Sequence, residues 1–169
     1  NELIGKIQQS EQFLVSNNVF KQISIRSGSE KILAIAHSKK HDFSSLKLKS
    51  DALILVIEAP EKPGNIGALY RTAAAAQMDG VIIANPKTDM YNPNIIRSSV
   101  GCLFTNQIGV GSSSEIIDFL KENKVNIFCS ALTASKSYVN VNFTQPCAIV
   151  VGTEAVGLSD TWLKNSTQN

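Results

Sequence analysis

From Asp51 onward, short apolar runs alternate with segments of helical period. The runs "LILVIE" (Leu53 to Glu58), "VIIA" (Val81 to Ala84), "QIGV" (Gln107 to Val110), "VNIFCS" (Val125 to Ser130) and "CAIVV" (Cys147 to Val151) are near-continuous, as strands covered on both faces must be. Such strands pair in parallel. Between them the pattern predicts one helix from about Asn65 to Met78, a turn-rich piece around "MYNPNIIRSS", and another helix from about Ser113 to Asn123. The last has Ser112 and Glu115 at capping-box spacing and an Ile116, Phe119, Leu120 stripe at i, i+3, i+4. Strand and helix in alternation, joined by right-handed crossovers, predict an α/β fold: an open, mostly parallel sheet flanked by helices, with ligands at the carboxyl ends of the strands.

Residues 1–50 read differently. An early helix is expected over "ELIGKIQQSEQFL", β-like pieces over "KQISIRS" and "ILAIAH", and then the polar segment "SKKHDFSSLKLKS" with Lys39, Lys40, Lys47 and Lys49. The composition shift near Ser50 marks the expected boundary between an auxiliary region, 1–50, and a main domain, 51–169. A piece of that size is marginal for an independent core.

Composition narrows the class. Hydrophobic residues at 43% and charged residues at 18% call for a packed globular body, and 169 residues suffice for one ordinary domain. No apolar run approaches the ~20 residues that span a bilayer, and the start lacks the basic-then-apolar order of a secretory signal, so a cytoplasmic, membrane-free protein is expected. A net charge of +2 selects no partner by itself and leaves RNA open. Cys102, Cys129 and Cys147 are odd in number and set among apolar or small residues, which points to buried reduced thiols. His37 and His41, four apart in "HSKKH", have no further ligands evident nearby; a solvated basic turn is expected there, and no metal.

Two stretches carry candidate chemistry. In "EAPEKPGNIGALYRTA", Pro60 and Pro63 stiffen a loop, Gly64 frees it, and Asn65 is a candidate N-cap. Gly67 weakens a helix by roughly 0.5 to 1 kcal/mol relative to alanine, so something must benefit from the missing side chain. Arg71 stands one turn above it. Either a bare backbone patch beside a guanidinium receives an anionic or hydroxyl-bearing ligand, or Gly67 permits close helix packing while Arg71 caps a loop carbonyl; the spacing supports both equally. The second stretch, "CAIVVGTEAVGLSDTWL", ends a buried strand at Gly152, then places Glu154, Gly157 and the candidate N-cap Ser159. Neither a dinucleotide G-x-G-x-x-G, nor a phosphate-binding G-x-x-x-x-G-K-[ST], nor a G-x-S-x-G elbow is present.

Together these stretches resemble the SpoU/TrmH family of RNA ribose 2′-O-methyltransferases, in the SPOUT superfamily. Asn65, Gly67, Arg71, Thr72 and Ala73 match the family's N-x-G-x-x-x-R-[ST]-A pattern, and Gly152, Thr153, Glu154, Gly157, Leu158 and Ser159 match its G-[ST]-E-x-x-G-L-[ST] pattern. Arg97, Ser99 and Gly101 in "NPNIIRSSVG" match [RK]-x-S-x-G. The resemblance covers roughly Leu53 to Leu163. It implies a Rossmann-like fold with a C-terminal trefoil knot, S-adenosylmethionine as cofactor, RNA (ribosomal or transfer) as partner, and a homodimer. It further implies Arg71, Asn65 and Glu154 as catalytic residues, and Leu132, Thr133, Gly152, Thr153, Gly157 and Leu158 as cofactor contacts, the loop from Ala131 to Ala134 included. Lys39, Lys40, Lys62, Arg97 and Ser99 are expected on RNA, with residues 1–50 as part of an RNA-holding module. The family's third motif, a proline-containing loop followed by S-L-N-x-S, has no counterpart before Asn169, so the knot-forming segment is expected to be missing. The alternatives are a base-directed relative of the same fold and a non-catalytic RNA-binding or dimerisation module.

Overall fold

The computed structural model describes residues 11–25, 31–133 and 136–169. It divides into two units, Asn1–His37 and Ser38–Asn169. In the first, the one described helix is α1, Asn17–Ile23, capped by the Ser16 side chain and burying no residue. Most of the early helix expected over "ELIGKIQQSEQFL" lies outside the described residues. The two β-like expectations fail where they can be seen: Lys21–Ile23 close α1, and residues 32–37 carry no ladder. β propensity measures fit to a paired, half-buried surface. Ile32 and Ile35 have no such surface, being 64% and 92% exposed.

The second unit is a five-stranded, wholly parallel sheet. In chain order come β1 (Leu53–Glu58), α2 (Pro63–Ala75), β2 (Gly80–Ala84), α3 (Pro93–Ser98), α4 (Cys102–Thr105), β3 (Ile108–Gly111), α5 (Ser113–Glu122), β4 (Asn126–Cys129), β5 (Cys147–Val151) and α6 (Asp160–Asn165). The strand order is β3-β2-β1-β5-β4. Ile57 sits opposite Ile83 on one side and Val151 on the other. The chain winds outward from β1 to β3, then returns to the other side of β1, so the order reverses between β1 and β5. That reversal opens a crevice at the strands' carboxyl ends, where open α/β sheets take ligands.

Alternation along the strands sends side chains to two cores. Leu55, Ile57, Val81 and Ile83 meet Ile66, Tyr70 and Ala73 of α2, with Ile95 and Leu103 from α3 and α4. Ile54, Val56, Ile82 and Val150 meet Ile116 and Leu120 of α5 and Trp162 of α6. The α5 capping box is present in full. The "MYNPNIIRSS" piece, expected to be turns, contains α3, started by the Asn92 side chain and by Pro93 in the first helical position.

Residues 38–50, expected in the auxiliary region, fold onto this unit. Asp42 bridges to Val110 of the edge strand, and Phe43 covers Gly109, where an added Cβ would come within 2.5 Å of the Phe43 Cβ. His41 is no solvated turn: its ring stacks on Tyr91 at 5.2 Å, its Nε2 is buried without a partner, and burial lowers its pKa. At the opposite edge, Thr167 donates to Ile127 (2.8 Å) and Cys129 to Gln168 (3.0 Å), so the tail lines β4. No described helix is long and apolar enough to cross a membrane.

Candidate active site

The loop after β1 and the loop after β5 both open at the reversal point, and a carboxylate joins them. Pro63 starts α2, with Lys62 as an N-cap that makes no side-chain bond to the helix. Asn65 is therefore the third helical residue and not the cap expected of it. Freed from that duty, its Nδ2 donates to Glu154 Oε1 at 2.6 Å, across 89 residues of chain. Lys62 Nζ pairs with the other oxygen, Oε2. The bonds from Lys62 and Asn65, with the Lys62 charge, hold the Glu154 carboxyl below its ordinary range, and the Lys62 ammonium is raised in return. The pair is exposed, so it ties the loops without contributing much stability.

The choice left open at Gly67 is resolved for packing. A Cβ there would overlap the Ser98 side chain and lie 2.7 Å from the Ser98 carbonyl carbon. Ser98 occupies the gap, donating its hydroxyl to Pro63 O at 3.2 Å, and Arg71 Nη1 donates to the Ser98 carbonyl. α3 is thereby clasped against α2. Arg71 nonetheless stays exposed, and a guanidinium has five N–H donors, of which this contact uses one.

The second loop closes on itself. Thr153 and Gly157 exchange backbone bonds of 3.1 and 3.0 Å, with Gly157 at φ +73°. A Cβ at Gly152 would overlap the Gly157 carbonyl. Both glycines are thus required by the turn, which thrusts Glu154 toward α2.

Residues 52–169 match the SpoU rRNA Methylase family. The chain belongs to that family. It is 29% identical over 137 residues to the 23S rRNA (uridine(2479)-2′-O)-methyltransferase of Streptomyces viridochromogenes, covering 78% of this chain and 48% of that one. It is 26% identical over 157 residues to the 23S rRNA (guanosine(2553)-2′-O)-methyltransferase RlmP of Bacillus subtilis strain 168, covering 93% and 61%. The chain thus spans about half to three fifths of these relatives. Among solved structures, an RNA 2′-O ribose methyltransferase superposes with a TM-score of 0.69 at 32% identity, over 90% of this chain and 58% of that one. The SpoU methyltransferase AviRb from Streptomyces viridochromogenes in complex with AdoMet shares the fold with a TM-score of 0.86 at 23% identity, over 99% and 66%.

Within this SpoU fold the remaining expected residues separate. Leu132 and Thr133, after β4, are exposed, Leu132 entirely so; Ala134 lies outside the described residues. Val156, in the loop after the neighbouring β5, is 84% exposed. Two free apolar side chains beside backbone-rich turns suit a ligand with an apolar ring and polar edges. Arg97, Lys39 and Lys40 are exposed. Ser99, in contrast, is fully buried and donates to Ile96 O at 2.9 Å, so its side chain supports a turn. Cys129 is buried, its thiol pushed up to about 12 by burial and then by the Glu58 charge. It is an inert core group. No cluster of three or more metal-ligating side chains occurs among the described residues.

Sequence reasoning passed over Glu58, Ser113 and Asn85. Glu58, 6% exposed, accepts from Ser159 N (2.8 Å), Ser159 Oγ (2.6 Å) and Ser113 Oγ (3.4 Å). Ser113 Oγ in turn accepts from Trp162 Nε1 and from Asn85 Nδ2, both at 2.9 Å. The available signal was a carboxylate closing an otherwise unbroken apolar strand. Ser159, expected to cap α6, has cap-like backbone angles but makes no side-chain bond to the helix; its hydroxyl instead donates to Glu58.

Proposed function

We propose that this chain is the S-adenosylmethionine-dependent part of an RNA methyltransferase that methylates a ribose 2′-hydroxyl of ribosomal or transfer RNA. The observation that carries the reading is the Asn65–Glu154 bond: two family motifs, far apart in sequence, meet at the sheet's reversal point. The 23S rRNA 2′-O-methyltransferases it is similar to support the reading. The exposed Leu132 and the Gly152–Leu158 turn fit the cofactor, with Leu132, Thr133, Gly152, Thr153, Gly157 and Leu158 as its holding residues.

S-adenosylmethionine supplies a methyl group already activated on a sulfonium. The protein's work is alignment of the hydroxyl and help in removing its proton. Arg71 is an unsuitable base, because a guanidinium keeps its proton in proteins. Its role is to grip the RNA phosphate or ribose with donors that Ser98 leaves free. Glu154 fixes the Asn65 amide, whose carbonyl then faces a defined direction for the ribose or for Arg71. Lys62, Lys39, Lys40 and Arg97 add phosphate attraction. Exposed Val100 and Phe104, 76% and 53%, favour a homodimer through the α3–α4 surface.

The test is calorimetry with S-adenosylmethionine together with methyl transfer to RNA by the full chain. Arg71→Ala is expected to lower kcat by at least about 100-fold while leaving cofactor affinity within about threefold. Undiminished turnover would remove Arg71 from catalysis. A chain that binds RNA but no cofactor would be a non-catalytic module.

A further inference from the structure

Both ends of the loop that carries Glu154 are fastened to consecutive residues of β1. At its start, Val151 pairs with Ile57 in the ladder. At its end, the Ser159 amide and hydroxyl both bond to the side chain of the next residue, Glu58. The helix that follows β1 brings Asn65 to Glu154. The end of β1 is therefore a common reference for both motifs.

A carboxyl group is an expensive way to close an apolar strand, since burying it without hydrogen-bond partners is strongly unfavourable. Here three donors supply the compensation. Oε2 takes one N–H, Oε1 takes two hydroxyls, and the Ser113 hydroxyl that donates to it also accepts from Trp162 and Asn85, which uses its one donor and both acceptor positions. Most of that compensation comes from a residue at the loop's exit, not from the core.

We propose that Glu58 is a positioning residue of the methyl-transfer site: through Ser159 it holds residues 152–158 where Glu154 meets Asn65 and where the cofactor-holding turn is closed. This rests on the function proposed above only for the identity of the ligand, not for the mechanical coupling. Substitution of Glu58 loosens the turn while the strands beneath it stay intact.

The experiment is amide hydrogen exchange on the full chain without ligand, followed by S-adenosylmethionine titration, for wild type, Glu58→Gln, Ser159→Ala and the double variant. In Glu58→Gln, protection at Gly157, whose amide bonds to Thr153 O, is expected to fall about tenfold, with Val56 and Ile82 of the central strands unchanged. Ser159→Ala, which keeps the carboxylate, should show a smaller loss at the same amides, and the double variant no more than Glu58→Gln alone. Cofactor Kd should rise in the same order. A uniform loss of protection, or unchanged protection at Gly157 in both single variants, overturns the proposal. Should Glu58→Gln fail to fold, Ser159→Ala decides the question. If wild type binds no cofactor, the functional reading falls, while the exchange pattern still settles the role of Glu58.

Discussion

Gly67 shows how a single missing side chain can be misread in either direction. An alanine there would gain about 1 kcal/mol of intrinsic helix propensity. Its Cβ, however, would press on Ser98 side chain and backbone together, and the backbone belongs to α3, which cannot step aside without moving Ile95 out of the core. Overpacking of this kind costs about 1–3 kcal/mol. Gly67→Ala is accordingly expected to lower stability by up to about 2 kcal/mol in urea unfolding; a raised midpoint would show that Ser98 yields. The sequence could mark Gly67 and Arg71 as unusual because they break helical economy. It could not decide their role, because their partner Ser98 stands 27 residues beyond Arg71, in a piece with no period to place it. Glu154 was legible as a turn carboxylate, whereas its partner Asn65 was misassigned to the cap, a purely local rule overridden by Pro63 starting the helix earlier.

At the scale of elements, what was legible is what burial dictates. β1 and β5 begin and end where the apolar runs do, and the other three strands shift by one residue at one or both ends, where apolar character and ladder bonding part company. The failures, "KQISIRS" and "ILAIAH", are runs with β-type residues and no partner strand. The connection between β1 and β2 depends on a charge that no pattern reveals. Asp79, just before β2, accepts from Leu53 N at 3.0 Å and from Lys49 Nζ at 2.7 Å, so it starts β1 and secures the 38–50 segment at once. Burial raises its pKa, but the Lys49 bond, the Leu53 amide and the Lys49 charge outweigh burial, and the net value lies below the ordinary 3.8. A carboxyl depressed in the folded state stabilises fully above its unfolded pKa, and that contribution disappears as pH falls through the folded value. Asp79→Asn keeps an acceptor for Leu53 and loses the ion pair. Its stability deficit relative to wild type should therefore be constant near neutrality and shrink below pH 3.8, which urea unfolding at a series of pH values measures. A deficit that persists unchanged into acid would assign the effect to shape and not to charge.

At the scale of the second unit, one sheet supports two layers that share no helix. α2, α3 and α4 cover one face, α5 and α6 the other, and the candidate site lies where loops from β1 and β5 turn toward each other. This convergence was legible only as an implication of family resemblance, since no spacing in the chain states which two strands are neighbours. Stability should be shared across the layers, because removing either one exposes an apolar face of the same five strands. Trp162, the sole tryptophan, reports on this. It is fully buried in the α6 layer, its Nε1 bonded to Ser113 and its carbonyl to the Cys129 thiol, far along the chain from Tyr70, which is fully buried in the opposite layer. If the two layers form one cooperative body, Trp162 fluorescence and far-UV circular dichroism will trace the same urea transition. A fluorescence midpoint below the dichroism midpoint would show the α6 layer releasing first. Release of that layer would also free Ser159 from Glu58, so the loop bearing Glu154 would lose its anchor while most of the sheet was still folded. Coincident curves therefore bear on the site as well as the fold, for they show the layer that anchors the loop unfolding together with the sheet.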